Sequence, residues 1–417
     1  MERGGQTGIV ASMSGATIKR DLRTGRSLWL DSRALGVPAR PLQSPLAVDV
    51  AIVGAGISGA FMAHALSRDH SVVVLERRQP LMGSTIASTA LLQWELDEPL
   101  RTLSDQIGAT DAKRVYLRSR AAVDHLIEIV RNEEIACGLK AKSSLYLAGD
   151  AHGARALALE ADARARIGLD SMFLHPADLR QRFGIDRTGA ILSSGGASAD
   201  PGRLAAGLFR RAATRGARIH APVEVLGLLQ GGDHVSLVND SGFEIQATHV
   251  VFCSGYEFPK GVPTDRAKIV STWALATKPL QAAPAWLREH LVWEASDPYL
   301  YFRMTGDGRI VIGGEDEDSP DRNADPALIA SKSAAILRKL HALLPNLKVE
   351  VDYAWAGAFG QSTTSMPLIG AVPGRPNTYA VMGFGGNGIT YSVIASQVVG
   401  AAIRGEADPD ANLYSLG

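Results

Sequence analysis

Gly54, Gly56 and Gly59 stand in the spacing G-x-G-x-x-G, and Glu76 follows twenty-two residues after the first of them. Nothing in this set attacks or transfers a group; its chemistry is the recognition of a dinucleotide. The first Gly permits a tight turn, the second lets a pyrophosphate approach the backbone, and the third lets a helix pack against a strand. Ile57 and Ser58 open that helix, whose terminal amides and dipole favour phosphate charge. A carboxylate at Glu76 can accept both hydroxyls of an adenosine ribose and disfavours a 2′-phosphate, so NADP is not the expected ligand.

The surrounding elements fall in register with this reading. Val48, Val50, Ile52 and Val53 give an apolar, β-branched run, the pattern of a strand buried on both faces. Ile57 to Arg68 carries the helix, and Val72 to Leu75 the strand that delivers Glu76. Asp69-His70 occupies the intervening turn where a Gly is usual; both types tolerate positive φ, so the turn is expected to form at modest cost.

Two further stretches suit anions or rings. In GSTIASTALLQWELD, Gly83 to Asp97, the hydroxyls of Ser84, Thr85, Ser88 and Thr89 lie on what reads as a helix start. They suit a second phosphate or a ring, or simply cap an ordinary helix. Near the C-terminus GFGGNGITYS, Gly383 to Ser392, feeds a helix running from Ile389 to Arg404. A buried strand from Thr248 to Cys253 ends in Ser254-Gly255, which would bring backbone to the same dinucleotide.

At 417 residues, the chain can bury a large core and split into two domains or one with a sizeable insertion. Its 43 basic and 43 acidic residues cancel, which argues against nucleic acid as a main partner. Cys137 and Cys253 are too few and too far apart for a disulfide framework or metal site, and read as buried thiols of a reducing cytoplasm. No apolar run reaches membrane-helix length and no signal-peptide core is evident, so a cytoplasmic location is expected.

Met1 to Ala47, rich in Gly, Ser, Arg and Pro, reads as an arm that begins disordered and then folds over the body, with Trp29 as a packing plug. Leu103 to Asn132 reads as a long amphipathic helical region, Ser143 to Ala148 and Gly189 to Ser194 as strands, and Ala151 to Arg166 and Pro176 to Phe183 as helices. Asp200-Pro201-Gly202-Arg203-Leu204 opens a helix to Arg215, followed by a strand from Ala217. Pro222 to Leu229, Val235 to Val238 and Phe243 to Ala247 read as a three-strand meander. Ile269 to Pro279, Tyr299 to Arg303 and Gly308 to Gly314 read as strands of a second sheet; Asp325 to Leu344 is helical, Tyr353 to Phe359 is a strand and Tyr379 to Met382 is another.

With these stretches in this order, the chain resembles the D-amino-acid oxidase superfamily of FAD-dependent oxidoreductases, nearest the glycine oxidase, sarcosine oxidase and γ-glutamylputrescine oxidase branches. The matching features are the Gly54 to Glu76 unit, the DPGRL helix with Ala217 to Val223, the Val250 to Gly255 strand, and the segments WAGAFGQSTTSMPLIG and GFGGNGITYS. The resemblance implies an α/β fold: a Rossmann-like FAD-binding domain of glutathione-reductase type with an interleaved α+β substrate domain on a mostly antiparallel sheet. The expected division is an arm at 1–47, an FAD-binding domain at 48–103, 195–265 and 357–417, and a substrate domain at 104–194 and 266–356. It implies that Glu76, with Arg77 beside it, holds the ribose and the Val223 backbone the adenine. Ser84 to Leu91 would take the pyrophosphate and flavin edge, Ser254 and Gly255 would lie near the dinucleotide, and Gly385, Gly386, Asn387, Gly388, Ile389 and Thr390 would take the pyrimidine end.

The departures bear on function. Where sarcosine oxidase attaches its flavin through a Cys, this chain has Gly357, so FAD is expected to be held non-covalently. The Arg clamps that bind a substrate carboxylate in glycine and D-amino-acid oxidases fall in Ala356-Gly357-Ala358-Phe359 and Gly385-Gly386-Asn387, and the corresponding sarcosine oxidase Lys falls at Thr390. Thr364 replaces a frequent Asp. Flavin amine oxidation requires mainly geometry and an unprotonated amine, so no catalytic base is needed. Candidates for the substrate face are Gln93, Trp94, Tyr301, Arg303, Trp355 and Phe359, of which an aromatic pair could cage a cation. Tyr301 and Arg303 share one face of a strand, a face that meets either the flavin or solvent. The expected function is FAD-dependent oxidation of a C–N bond of a small amine or amino acid, amine favoured, with oxygen or another acceptor taking the electrons. Transfer to a quinone or protein, and a non-catalytic flavin-binding subunit, are the alternatives.

Overall fold

The β-branched run at Val50 becomes the strand Leu46–Val53, whose last four residues are buried between parallel neighbours Val72–Leu75 and Ile245–Phe252. The computed structural model describes residues 15–32 and 35–417; the expected disorder of the first residues, Met1 to Ser14, lies outside the described residues. Arg218–His220 and Ala39–Arg40 continue the parallel order on one side. Thr378–Met382 runs parallel to Ile245–Phe252 on the other. An antiparallel ribbon, Val225–Gln230 with Val235–Asn239, completes this sheet with Leu368–Ala371. Helices Ile57–Leu66, Pro201–Thr214 and Gly388–Ile403 pack over it.

The second sheet orders Arg23–Arg26, Val351–Ser362, Ala267–Thr277, Ile310–Glu317, Leu300–Met304, His290–Glu294, Lys140–Leu147, Ala190–Ser198 and Leu91–Leu92, with Ser171–Leu174 also on Ala190–Ser198. Its pairs are antiparallel except His290–Glu294 against Lys140–Leu147. The helix Leu328–Leu343 buries Ile336, Leu340 and Leu343 in this sheet's core. The result is a mixed α/β fold with one largely parallel and one mostly antiparallel sheet.

The arm is an integral part of both layers. Arg23–Arg26 adds a strand to the antiparallel sheet beside Val351–Ser362. Trp29 is the plug: it is buried, and its Nε1–H donates to the Ser88 carbonyl at 2.7 Å.

Several elements differ from the sequence expectation, each for a local reason. The helical region Leu103 to Asn132 is helical as expected but divides into Leu100–Ile107 and Ala109–Asn132, because Gly108 takes φ +88° between them. The helix expected after Gly83 stops after one 3-10 turn, Ser84–Ala87: Ser88 is extended, and Ala90 takes φ +52° into the strand Leu91–Leu92. Phe243 to Ala247 and Thr248 to Cys253 form one strand, Ile245–Phe252, since both halves pair with Leu46–Val53. The Asp69-His70 turn uses no positive φ; both amides donate to the Leu66 carbonyl, at 3.2 and 3.0 Å. Ser171–Leu174, His290–Glu294 and Leu368–Ala371 are further strands that the sequence expectation did not include.

Candidate cofactor and substrate cleft

Gly54 sits at the carboxyl end of Leu46–Val53 with φ +114°, and a Cβ there would meet the Cys253 carbonyl oxygen at 2.4 Å. The turn therefore requires Gly both for its torsion and for the neighbouring strand end. At Gly59 a Cβ would meet the Gly54 carbonyl at 2.0 Å, so helix and strand touch backbone to backbone. Glu76 accepts from Ala55 N–H and Arg78 N–H, both at 2.8 Å, which fixes its carboxylate beside the turn.

From this point a cleft opens between the two sheets, enclosing about 1870 Å³ of empty space including its mouth. Every residue named above for the cofactor lines this cleft except Gly59, Thr390 and, within Ser84 to Leu91, the buried Ile86. Gly59 serves the packing just described; Thr390 donates its hydroxyl to the Gln93 carbonyl at 2.9 Å.

The loop contributions differ in kind. Thr85 Oγ1 accepts from Ile57 N–H at 2.9 Å, joining the first helix start to the 3-10 turn. Ser58 and Ser392 share a hydroxyl hydrogen bond of 2.8 Å, tying the helices behind the two Gly-rich loops together. The Val223 amide donates to the Glu76 carbonyl at 2.8 Å, so its carbonyl is the backbone group left for a base. Gly386 N–H donates to Asp97 Oδ2 at 3.1 Å, and Asn387 Nδ2–H to the Glu95 carbonyl at 2.6 Å.

Of the substrate-face candidates, Gln93, Tyr301, Trp355 and Phe359 line the cleft. Trp94 and Arg303 do not. Trp94 is buried, donating Nε1–H to the Ser194 carbonyl at 2.8 Å under the Arg164 guanidinium. Arg303, 2% exposed, donates to the carbonyls of Thr89 at 2.7 Å and Ala199 at 2.8 Å, with the Trp29 ring over its guanidinium. This substrate-face candidate is thus a buried link between the cleft wall, a helix start and the arm. Burial pushes its pKa down to about 10.

Sequence reasoning missed Asp97, Tyr299, Trp293 and Thr272, all cleft-lining. Tyr299 precedes Tyr301 by two residues, and this period was a usable signal. The two rings lie 5.2 Å apart. Trp293 stacks on Tyr146 at 3.7 Å from a strand that was not foreseen. Asp97 closes the very stretch singled out for its hydroxyls. It is open to the cleft, yet the protein around it limits hydration and raises its carboxyl above the usual range, opposed by the Gly386 N–H. Asp316, on Ile310–Glu317, is pushed up to about 7, first by burial and further by the charge of Asp97. Tyr299 and Tyr301 are raised by burial and stay protonated at neutral pH.

A buried ion cluster holds the segment from Gln93 to Asp97 in place. Arg164 donates to Glu95 at 3.1 Å and Glu160 at 2.7 Å, and Glu160 caps Leu100–Ile107 through the Leu100 and Arg101 amides. At the other end, Arg77 and Arg78 both pair with Glu257, at 2.5 and 2.8 Å. Burial alone would raise Glu257; the arginines and the Arg20 N–H hold it below the usual range.

The description "FAD dependent oxidoreductase" (DAO) matches residues 49–402 of this sequence. The chain belongs to this family. Among DAO relatives, a probable oxidoreductase OrdL of Haemophilus influenzae is 24% identical over 91% of this chain and 88% of that protein. The γ-glutamylputrescine oxidoreductase of Escherichia coli is 23% identical over 89% and 87%. The crystal structure of glycine oxidase from Geobacillus kaustophilus superposes with a TM-score of 0.76 at 23% identity, covering 89% of this chain and 99% of that one.

FAD is the cofactor of the DAO family, and the residues present fit it. A Cβ at Gly56 would stand 3.1 Å from Thr85 Oγ1, so the bare backbone there keeps room for a phosphate. The buried Ser84 Oγ has no partner within the protein and faces the same cleft. Gly357 presents no nucleophile, and the Cys253 thiol in the cleft wall is pushed up by burial, away from the reactive thiolate.

Proposed function

We propose that this DAO-family enzyme holds FAD without a covalent bond and oxidises the C–N bond of a small amine that lacks an α-carboxylate. The observation carrying this reading is electrostatic. Arg77 and Arg78 are the only basic side chains among the described residues lining the cleft, and both pair with Glu257 beside Glu76. An ionised carboxylate taken from water without a partner is disfavoured by several kcal/mol. The name of the E. coli relative, a γ-glutamylputrescine oxidoreductase, supports an amine as substrate.

In this reading Glu76 holds the ribose. The amides at Gly56 and Ile57, with Ser84 and Thr85, take the pyrophosphate, and Ser88 to Leu91, Gly357 and Gly385 to Ile389 take the ring. Bound FAD supplies a two-electron acceptor for hydride from the carbon next to nitrogen. The substrate's C–N bond becomes a C=N bond, its nitrogen lone pair replacing the lost C–H pair. Water then releases carbonyl and amine, and oxygen or another acceptor receives the electrons. Tyr299 and Tyr301 stay neutral beside the substrate and act as wall and hydroxyl partners, not bases. Gln93 offers an acceptor to the amine N–H, and Trp293, Trp355 and Phe359 limit water.

Anaerobic mixing of the FAD-loaded protein with a panel of amines tests this. Bleaching of the flavin absorbance is expected, and recolouring in air would identify oxygen as the acceptor. A flavin that no amine bleaches would make the chain a flavin-binding subunit instead.

A further inference from the structure

Resting on the amine reading above, we infer that the substrate is a dication: beside the nitrogen undergoing oxidation it carries a second ammonium group, and Asp97 is the residue that binds it. α,ω-Diamines and longer polyamines are the chemical class that fits.

Asp97 lines the cleft, open to it, and accepts one hydrogen bond, from Gly386 N–H at 3.1 Å. No ion pair engages it among the described residues. A Cβ built on Gly386 would stand 3.0 and 3.1 Å from the two Asp97 oxygens. The space in which a long cationic side chain from position 386 would begin is therefore filled by an anion. This is an inversion of charge at that wall, not merely a loss of it.

A second feature, the acceptor already assigned to the amine N–H, calls for a donor on the same ligand. Gln93 lines this cleft, is 6% exposed, and its Oε1 accepts no hydrogen bond within the protein. A buried acceptor without a partner calls for a ligand that donates. Tyr299 and Tyr301, with centroids 5.2 Å apart, add ring faces on which an ammonium is stabilised. The polar groups of this end thus accept or polarise toward positive charge. A carboxylate in a cleft that fills with ligand is disfavoured unless a cation arrives with the ligand.

The test compares the FAD-loaded enzyme reacting anaerobically with monoamines, such as butylamine, and diamines of three to six carbons, such as 1,4-diaminobutane. The diamine of best-fitting length is expected to reduce the flavin with a kcat/KM about tenfold to a hundredfold above the matching monoamine, the scale of one charge-assisted hydrogen bond. In Asp97→Asn that ratio is expected to fall toward one. Thermal unfolding gives a readout independent of turnover: at equal concentration the diamine should raise the melting temperature more than the monoamine, and the difference should shrink in Asp97→Asn. Flavin bleached equally by monoamines and diamines at every chain length would overturn the dication and leave the amine reading standing. A diamine preference that survives in Asp97→Asn would overturn Asp97 as its anchor. Failure of every amine to bleach the flavin would overturn both readings together.

Discussion

The Nε–H of Arg303 points at the carbonyl oxygen of Thr89, 2.7 Å away, so the backbone of a cleft-lining residue is held by a cation that never reaches the cleft. Arg303→Met is therefore expected to act on stability. It leaves the Thr89 and Ala199 carbonyls without their donor, a loss of about 1–3 kcal/mol. Urea unfolding should report that loss, while the relative rates with amines and amino acids stay as in the wild type. A changed substrate preference with unaltered stability would return Arg303 to the substrate.

Glu76→Ala should weaken FAD by about 1.5–3 kcal/mol, the range for losing charge-assisted hydrogen bonds. Gly56→Val should weaken it more, because a side chain would stand against Thr85 Oγ1 in the phosphate's place. Titration of the apoprotein with FAD, followed by flavin fluorescence, measures both. Wild-type affinity in both variants would move the nucleotide away from this turn.

Acid precipitation of the yellow protein should leave FAD in the supernatant, since Gly357 has no nucleophile and burial keeps the Cys253 thiol protonated. Colour remaining in the pellet would reveal an attachment through another residue.

Asp316 gives the protein a pH dependence of definite sign. Its carboxyl is pushed up to about 7 in the folded chain, against about 3.9 when unfolded. Between those values the folded state retains a proton that the unfolded state releases. The stabilisation is complete below pH of about 4 and is lost as pH rises through about 7, at up to about 1.4 kcal/mol per pH unit. Asp316→Asn lacks this loss. Unfolding midpoints of the two proteins at pH 5 and pH 8 should show the wild type losing ground to the variant at the higher pH; a constant gap would place the carboxyl in an ordinary environment.

The parallel sheet and the dinucleotide turn were legible because strict spacing forces them: Gly54, Gly59 and Glu76 each meet a backbone constraint that few other residues satisfy. The two-sheet plan was also legible, through runs such as Ile269 to Pro279, seen as Ala267–Thr277. The substrate wall was less so. Arg303 and Tyr301 share a strand face, but period two cannot say that Thr89 and Ala199 stop the guanidinium short of the cleft while Tyr301 reaches it. Asp97 was hidden for a related reason: its significance comes from Gly386, 289 positions away. Such a pairing is tertiary information, absent from local pattern.

The most direct test of the account pairs each amine with the amino acid that bears one more carboxylate: ethylamine with D-alanine, dimethylamine with sarcosine, and 1,4-diaminobutane with ornithine. Anaerobic stopped-flow traces of flavin reduction should favour the amine in each pair that reacts, by about a hundredfold or more, because no described cation in the cleft is free to receive the carboxylate. Glycine, sarcosine or D-amino acids that reduce the flavin as fast as their decarboxylated partners would contradict it.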